Sequence, residues 1–189
     1  MKKNLLLLIG LLLFGMVQTS VAQQRKPAKK SAPKKVAPAI PVSVTIDEPV
    51  IVNGNVAFQG VPVKQPIAKI SQQLKTKGFV DKKENGFQFL SGTAYGVKVK
   101  AFVEDENWIA VREDKLYTAK QAKARINAYK KAFLEATGST DVSNDEMLPA
   151  EGGGFIVNTS GGTIDVHYYN EDEVNFDSNL FNIVISFKK

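Results

Sequence analysis

The feature that most constrains this fold is the order in which helical and alternating apolar patterns follow one another. Apolar residues recur at helical spacing in two segments, one between Pro66 and Gly78 and one between Thr118 and Gly138. Strand-like segments lie before, between and after them, and several are joined by turns short enough for hairpins. This order predicts an α+β fold, a single domain in which two helices pack on one face of an antiparallel sheet.

The first helical segment carries its own stop signal. Ile67, Ile70 and Leu74 form one apolar stripe. Gly78 is at the position of the left-handed residue that ends a helix. Phe79 is at the position that contacts Leu74 in a Schellman stop.

The second helical segment has Thr118 as an N-cap and ends at Gly138. Its predicted buried stripe is Ala122, Ile126, Tyr129, Phe133 and Ala136.

The strands are predicted from alternation and from turn residues. They comprise one or two strands in Val42–Val52, one over Val56–Val63, an antiparallel set across Phe79–Arg112, and strands over Phe155–Asn158, Thr163–Tyr169 and Leu180–Phe187. Asn53-Gly54 and Gly161-Gly162 indicate tight turns. Residues 139–154 predict a polar connection whose glycines, Gly152–Gly154, make it flexible.

The N-terminus has the layout of a secretory signal peptide. Lys2 and Lys3 precede an apolar run of about 13 residues, and Ser20-Val21-Ala22 offers small residues for cleavage after Ala22. An uncleaved anchor is the alternative, but the run is shorter than the roughly 20 residues that span a bilayer. We therefore expect residues 1–22 to be removed and the protein to be periplasmic or secreted.

Residues 23–41 predict a disordered Lys/Pro/Ala-rich linker. They hold six basic residues and no acid, whereas 17 Lys and Arg face 19 Asp and Glu from Val42 onward, a net charge of −2. The basic overall charge therefore belongs to the N-terminal segments and does not indicate nucleic-acid binding. The linker is either a solubilising spacer or an electrostatic tether to an anionic membrane surface.

Residues 42–189 are predicted to form the α+β domain. The chain has no cysteine, so this domain has neither disulfides nor thiol chemistry, and its stability must come from an ordinary core. About 150 residues are enough for one such core.

One stretch resembles a group of small secreted proteins from Gram-negative anaerobes. The shared pattern is Phe-x-Gly-(Val/Ile)-Pro-(Val/Ile), a helix ending Lys-Gly-Phe, then Leu-x-Gly-x-(Phe/Tyr)-x-Gly. The matching residues are Phe58, Gly60, Val61, Pro62, Val63, Lys77, Gly78, Phe79, Leu90, Gly92, Tyr95 and Gly96. The resemblance covers roughly residues 56–137. It implies export and a helix–sheet architecture similar to that of β-lactamase-inhibitor-like domains, but no mechanism.

Two sets of residues are candidate interaction surfaces. Lys120, Lys123, Lys130 and Lys131 predict a basic face on the second helix, which is either simply solvated or docks an acidic partner. Asp165, His167 and Tyr169 share one face of a predicted strand, where Asp165 and His167 can hydrogen-bond. A solvated strand-face histidine is the simpler interpretation of His167.

The sequence predicts no catalytic residue, metal site or cofactor. His167 is the only histidine, and no Gly-x-Ser-x-Gly elbow supplies a nucleophile for it. Residues 171–179 are rich in oxygen ligands but lack EF-hand spacing, so an acidic loop is favoured over a calcium site. We therefore expect a non-enzymatic binding domain of the cell envelope, with a small extracytoplasmic hydrolase or glycan-acting enzyme as the alternative. The expected partner is a protein or an anionic envelope polymer.

Overall fold

The computed structural model describes residue 42 and residues 44–145, 147–175 and 178–189; the predicted signal peptide and linker lie outside them. The described chain is mostly strand, with antiparallel sheets and two helices, so the α+β class is confirmed. The strands are β1 (Ile51–Val52), β2 (Asn55–Phe58), β3 (Val61–Pro62), β4 (Val80–Glu84), β5 (Phe87–Ala94), β6 (Val97–Asp105), β7 (Trp108–Glu113), β8 (Tyr117–Thr118), β9 (Val142–Asp145), β10 (Gly152–Thr159), β11 (Gly162–Asn170) and β12 (Leu180–Lys188). The helices are α1 (Ile67–Thr76) and α2 (Ala119–Thr137), and no described helix is long and apolar enough to cross a membrane.

The strands form two sheets rather than the one expected. A small sheet has the order β1-β2-β3. A nine-stranded sheet has the order β4-β5-β6-β7-β12-β11-β10-β9, with β8 paired to the side of β12. The C-terminal strand β12 therefore lies in the middle of the large sheet, between β7 and β11, where it joins the two halves of the chain.

The prediction of one strand over Val56–Val63 was wrong. Gln59 and Gly60 have φ values of 52° and 70°, so they form a two-residue turn, and Phe58 pairs with Val61 across it. β-Branched and aromatic residues lie on both sides of the turn, which is why the stretch resembles a single strand. The prediction for Val42–Val52 was also too long, because Ile51–Val52 is the only strand among the described residues of that stretch.

The predicted stop of α1 is confirmed. The N–H of Phe79 donates to the carbonyl of Leu74 at 3.2 Å, and the N–H of Gly78 donates to that of Lys75 at 3.1 Å. Gly78 has φ 89°, so the helix ends in a Schellman motif with its glycine in the left-handed region. The apolar stripe is narrower than expected, since Ile67 is 44% exposed.

The predicted ends of α2 are confirmed. Thr118 and Gln121 form a capping box, and Gly138 closes the helix in the left-handed conformation. Four members of the predicted stripe are buried, but Ala136 in the last turn is exposed, so the stripe leaves the core after Phe133.

The prediction of a flexible connection over residues 139–154 was wrong. It contains the edge strand β9, and Gly152–Gly154 are the first residues of β10. Each of these glycines pairs with a residue of β11, from Tyr169 back to His167. A glycine run has no alternating side chains to indicate a strand, although its backbone pairs in the sheet as that of other strands does.

The two faces of the large sheet differ. On what we call the core face, side chains such as Val99, Val111 and Ile185 are fully buried. They belong to one apolar cluster that also takes in Phe58 from the small sheet and residues of both helices. Alternate residues point to the opposite side, which we call the outer face. Of the predicted candidates, Asp165, His167 and Tyr169 lie on this outer face.

Candidate interaction surface

Part of the outer face is lined by aromatic and cationic side chains from three neighbouring strands. We call this set the aromatic–basic patch, and its members on β5, β6 and β7 are Phe87, Phe89, Lys100, Phe102 and Arg112. Strand alternation places all five on one side, because successive side chains of a strand point to opposite faces. The sequence predicts a partly basic outer face on the strand with Lys100 and Phe102, but it did not single out this patch as a candidate surface.

The aromatic members expose apolar surface to water. Phe87 is 70% exposed, whereas Phe89 and Phe102 are half-buried. The rings of Phe89 and Phe102 contact each other, with centroids 5.6 Å apart and planes inclined at 45°. Apolar surface left in water costs roughly 25 cal/mol per Å², and contiguous apolar patches on soluble proteins mark interaction sites.

The cationic members lie side by side. Lys100 and Arg112 are direct register partners on β6 and β7, a placement that is unfavourable for like charges. Lys100 is compensated, because its Nζ lies 2.5 Å from Glu84 Oε2 and 3.3 Å from Asp114 Oδ1. The hydrogen bond to Glu84, helped by Asp114, raises the pKa of Lys100 despite partial burial. Arg112 is exposed, and no described residue forms an ion pair with it.

The patch encloses an open groove of about 420 Å³. Phenyl rings form much of its lining, Arg112 and Lys100 supply positive charge, and Glu84 and Glu104 also reach it. Such a groove can take an apolar group beside a single anionic one. Its lining consists of phenyl rings, ionised side chains and one side-chain amide, that of Asn85.

A second cluster on the same face centres on His167. Its Nε2 lies 2.8 Å from Asp145 Oδ2 on the edge strand β9, and its Nδ1 contacts Asp165 Oδ1 on its own strand. Asp165 is also held by Lys188, with Nζ 3.2 Å from Oδ2, and the ring of Tyr169 stacks on the imidazole at 5.6 Å. The structure thus brings together Asp165, His167 and Tyr169 and adds Asp145.

This cluster depends on Gly154, which lies between His167 and Asp145 in the sheet register. A Cβ at Gly154 would lie 2.4 Å from the His167 ring and 2.2 Å from the carbonyl oxygen of Val166. Only glycine lets the imidazole lie across β10 to reach the edge strand. Close packing therefore requires glycine at position 154, where the sequence predicted flexibility.

The interpretation of His167 as a solvated side chain was wrong, because the residue is only 6% exposed. Burial lowers the pKa of His167, but the Asp165 and Asp145 carboxylates together raise it above its ordinary value. Both ring nitrogens face carboxylates, and a neutral imidazole has only one N–H. The imidazolium form can donate to both carboxylates, so the raised pKa agrees with His167 bridging Asp165 and Asp145.

The four α2 lysines lie apart from the His167 cluster. Lys120, Lys123 and Lys131 are exposed, with Lys131 Nζ 3.9 Å from Glu135 Oε1. Lys130 is half-buried and donates to Asn144 Oδ1 at 2.8 Å. Asn144 precedes Asp145 on β9, and its side chain points to the opposite face. The predicted lysine face and the predicted Asp165 face therefore do not form one surface.

A buried ion pair between β7 and α2 was missed altogether. Glu113 and Arg125 are 1% and 3% exposed, and Arg125 Nε lies 2.7 and 2.9 Å from the two Glu113 oxygens. The Tyr129 hydroxyl donates to Glu113 Oε1 at 2.5 Å, and the Tyr117 hydroxyl donates to Oε2. Arg125 also donates to the carbonyl of Tyr95 at 2.9 Å. Burial and the Glu113 charge raise the pKa of both Tyr117 and Tyr129, which remain protonated donors.

The sequence did hold a signal for this pair. Glu113 continues the alternation of the buried residues Ile109 and Val111, and Arg125 lies four residues before the buried Tyr129 in α2. A carboxylate at one core position indicates a cationic partner at another, because a buried charge without a partner is costly. Their mutual contact still depends on how α2 docks.

The acidic loop is partly described. Asp172 accepts hydrogen bonds from the backbone N–H groups of Val174 at 3.2 Å and Asn175 at 3.1 Å, so its carboxylate shapes the turn. No group of three or more His, Asp or Glu suited to a metal ion occurs among the residues that the structure describes. Asp177 of the predicted oxygen-rich loop lies outside those residues.

No protein-family model, curated protein or solved structure matches this chain. The candidate surfaces therefore rest on the geometry and chemistry of this chain alone.

Proposed function

We propose that this chain is an exported, non-enzymatic binding domain of the cell envelope that holds its partner on the aromatic–basic patch. The observation that carries the proposal is the position of Phe87, 70% exposed on an open sheet face beside two further phenyl rings and the exposed Arg112. Aromatic and arginine side chains are enriched where protein surfaces make specific contacts.

The architecture we propose is a single domain over residues 42–189, with both helices on the core face of the large sheet. The contacts of α1 with β5 and β6, and of α2 with β10, β11 and β12, support this arrangement. It leaves the outer face to a partner. The resemblance to small secreted proteins and the signal-peptide pattern support export, and the basic linker 23–41 would add weak electrostatic contact with the membrane surface.

A hydrolytic function has less support. His167 is the one residue able to act as a base near neutral pH without a large pKa shift, and both of its ring nitrogens contact carboxylates. The groove at the patch is open and lined by phenyl rings and charged side chains, which suits binding better than acid–base chemistry.

Site-specific photo-crosslinking in living cells tests the proposal. A benzophenone amino acid is placed at Phe87 in one variant and at Lys123 in the other, so that the patch is compared with the rival lysine face of α2. We expect a discrete adduct from position 87 and none from position 123. Both positions are solvent-exposed, so neither substitution disturbs the core.

Other results would assign binding to a different face or contradict it. An adduct from position 123 alone would assign binding to the lysine face, which changing Lys120, Lys123, Lys130 and Lys131 together to Gln would then weaken. Absence of an adduct at both positions would contradict a binding function on either face.

A further inference from the structure

We infer that the aromatic–basic patch binds a protein segment in which one acidic side chain follows or precedes an apolar one. This inference rests on the proposed use of the patch as the binding surface. It names the chemistry of the partner, which the proposed function leaves open.

Arg112 is the cation of the patch that can take a carboxylate from outside. Lys100 and Arg112 are direct register partners, and Lys100 already has Glu84 and Asp114 as counter-ions. Arg112 has no ion-pair partner among the described residues. A carboxylate from outside would offset the Lys100–Arg112 repulsion and can form two parallel hydrogen bonds with the guanidinium.

The phenyl rings favour a partner whose acidic residue has an apolar residue next to it. Phe87, Phe89 and Phe102 line the same groove as Arg112, and none of them offers a hydrogen bond. An aliphatic or aromatic side chain in the groove would remove both its own surface and that of Phe87 from water.

The acidic residues around the groove argue against a polyanion. Glu84 and Glu104 both line it, and Asp114 lies beside Lys100. An acidic glycan or an anionic membrane carries repeated negative charge and would meet these carboxylates as well as Arg112. A peptide with a single acid can place that acid at Arg112 and neutral groups elsewhere, which is charge complementarity of the kind that sets specificity.

Peptide selection tests the inference. A phage-displayed library of random peptides is selected on the chain expressed from its full coding sequence, and synthetic copies of the enriched peptides are titrated. We expect enrichment of Asp or Glu next to Leu, Ile or Phe. Arg112→Gln should weaken their binding about tenfold or more, because it removes a charge-assisted contact. Phe87→Ser should weaken it as well.

Lys98→Gln is the matched control. Lys98 is an exposed cation on the same strand and the same face as Lys100, but it is not part of the groove lining. Its loss should change affinity less than about twofold, as expected for a charge outside the contact. Unchanged unfolding midpoints for the three variants would show that the comparison is between folded proteins.

Three results would overturn the inference. One is enrichment of peptides without acids, or of peptides that bind Arg112→Gln as tightly as the parent. Another is the absence of any enriched peptide. The third is Arg112-dependent binding of alginate or of phosphatidylglycerol vesicles in place of peptides. In each case a crosslinked adduct from position 87 would still support the patch as the binding surface. Absence of that adduct would contradict the proposed surface itself.

Discussion

Arg125 Nε contacts both carboxylate oxygens of Glu113, at 2.7 and 2.9 Å, inside the core between β7 and α2. The pair closes a network with Tyr117 and Tyr129, in which the carboxylate also accepts from both hydroxyls. We expect this pair to hold α2 in one rotational position on the sheet, since any other would leave a charge buried without a partner.

Arg125→Met should destabilise the protein by about 3 kcal/mol or more, because it leaves the buried Glu113 carboxylate without its cationic partner. The double variant Glu113→Gln/Arg125→Met should be less destabilised than the sum of the single variants, since neither partner is then left charged. Urea unfolding of the four proteins gives the coupling energy. Additive effects would contradict a direct interaction in the folded state.

Stability should fall as pH rises through the folded-state pKa of His167. That pKa is raised above 6.5: burial lowers it, but Asp165 and Asp145 raise it by more. A group whose pKa is raised on folding stabilises the native state fully below its unfolded pKa and loses that contribution as the pH passes the folded pKa.

The pKa of Asp165 moves the other way: burial raises it, but His167 and Lys188 together lower it by more. Its contribution is present above its unfolded pKa near 3.8 and is lost as the pH falls through the folded one. Thermal unfolding between about pH 3 and 9, a range that includes the ordinary pKa values of both side chains, should show this pattern. His167→Gln should remove the loss on the alkaline side, and an unchanged profile in that variant would assign the loss elsewhere.

Gly78→Ala should cost on the order of 1 kcal/mol through backbone strain alone. Gly78 has φ 89°, and a Cβ built there meets no atom within 4 Å. Phe79→Ala should cost more, roughly 3 kcal/mol, because the ring is 2% exposed and packs edge-on against Phe58 at 5.6 Å. Chemical denaturation measures both. Equal costs would mean that the helix stop, rather than the core contact, dominates at Phe79.

Deleting residues 23–41 should leave the unfolding midpoint nearly unchanged and lower binding to anionic vesicles at low salt. The segment has six basic residues and no acid, and attraction of this kind is screened by salt. A shuffled segment of the same composition is the control and should restore vesicle binding. A midpoint lowered by several degrees would indicate that the linker packs on the domain, and equal vesicle binding without it would remove the tether.

Much of the fold could be predicted from the sequence because its signals are local. Each of these signals depends on a few neighbouring residues. Examples are the helix stop at Gly78, the helix cap at Thr118 and the strand alternation from Val97 to Val103. The turn at Gln59-Gly60 and the strand that begins at Gly152 were missed, since their patterns fit a longer strand and a loop equally well.

The His167 cluster could be predicted only in part. Asp165 and His167 are two residues apart on one strand, so alternation alone places them on one face, where they contact each other. Asp145 lies on a strand that the sequence did not indicate, and it reaches His167 only because Gly154 leaves room between them.

The sequence by itself determined the α+β class, the ends of both helices and the alternation of most strands, because caps, turns and alternation act over a few neighbouring residues. Tertiary structure alone decided that Lys100 meets Arg112 on an open face and that Glu113 meets Arg125 in the core. Strand register and helix docking depend on how the whole core packs. Contacts between distant residues are fixed only when the apolar faces of both sheets and both helices are buried together.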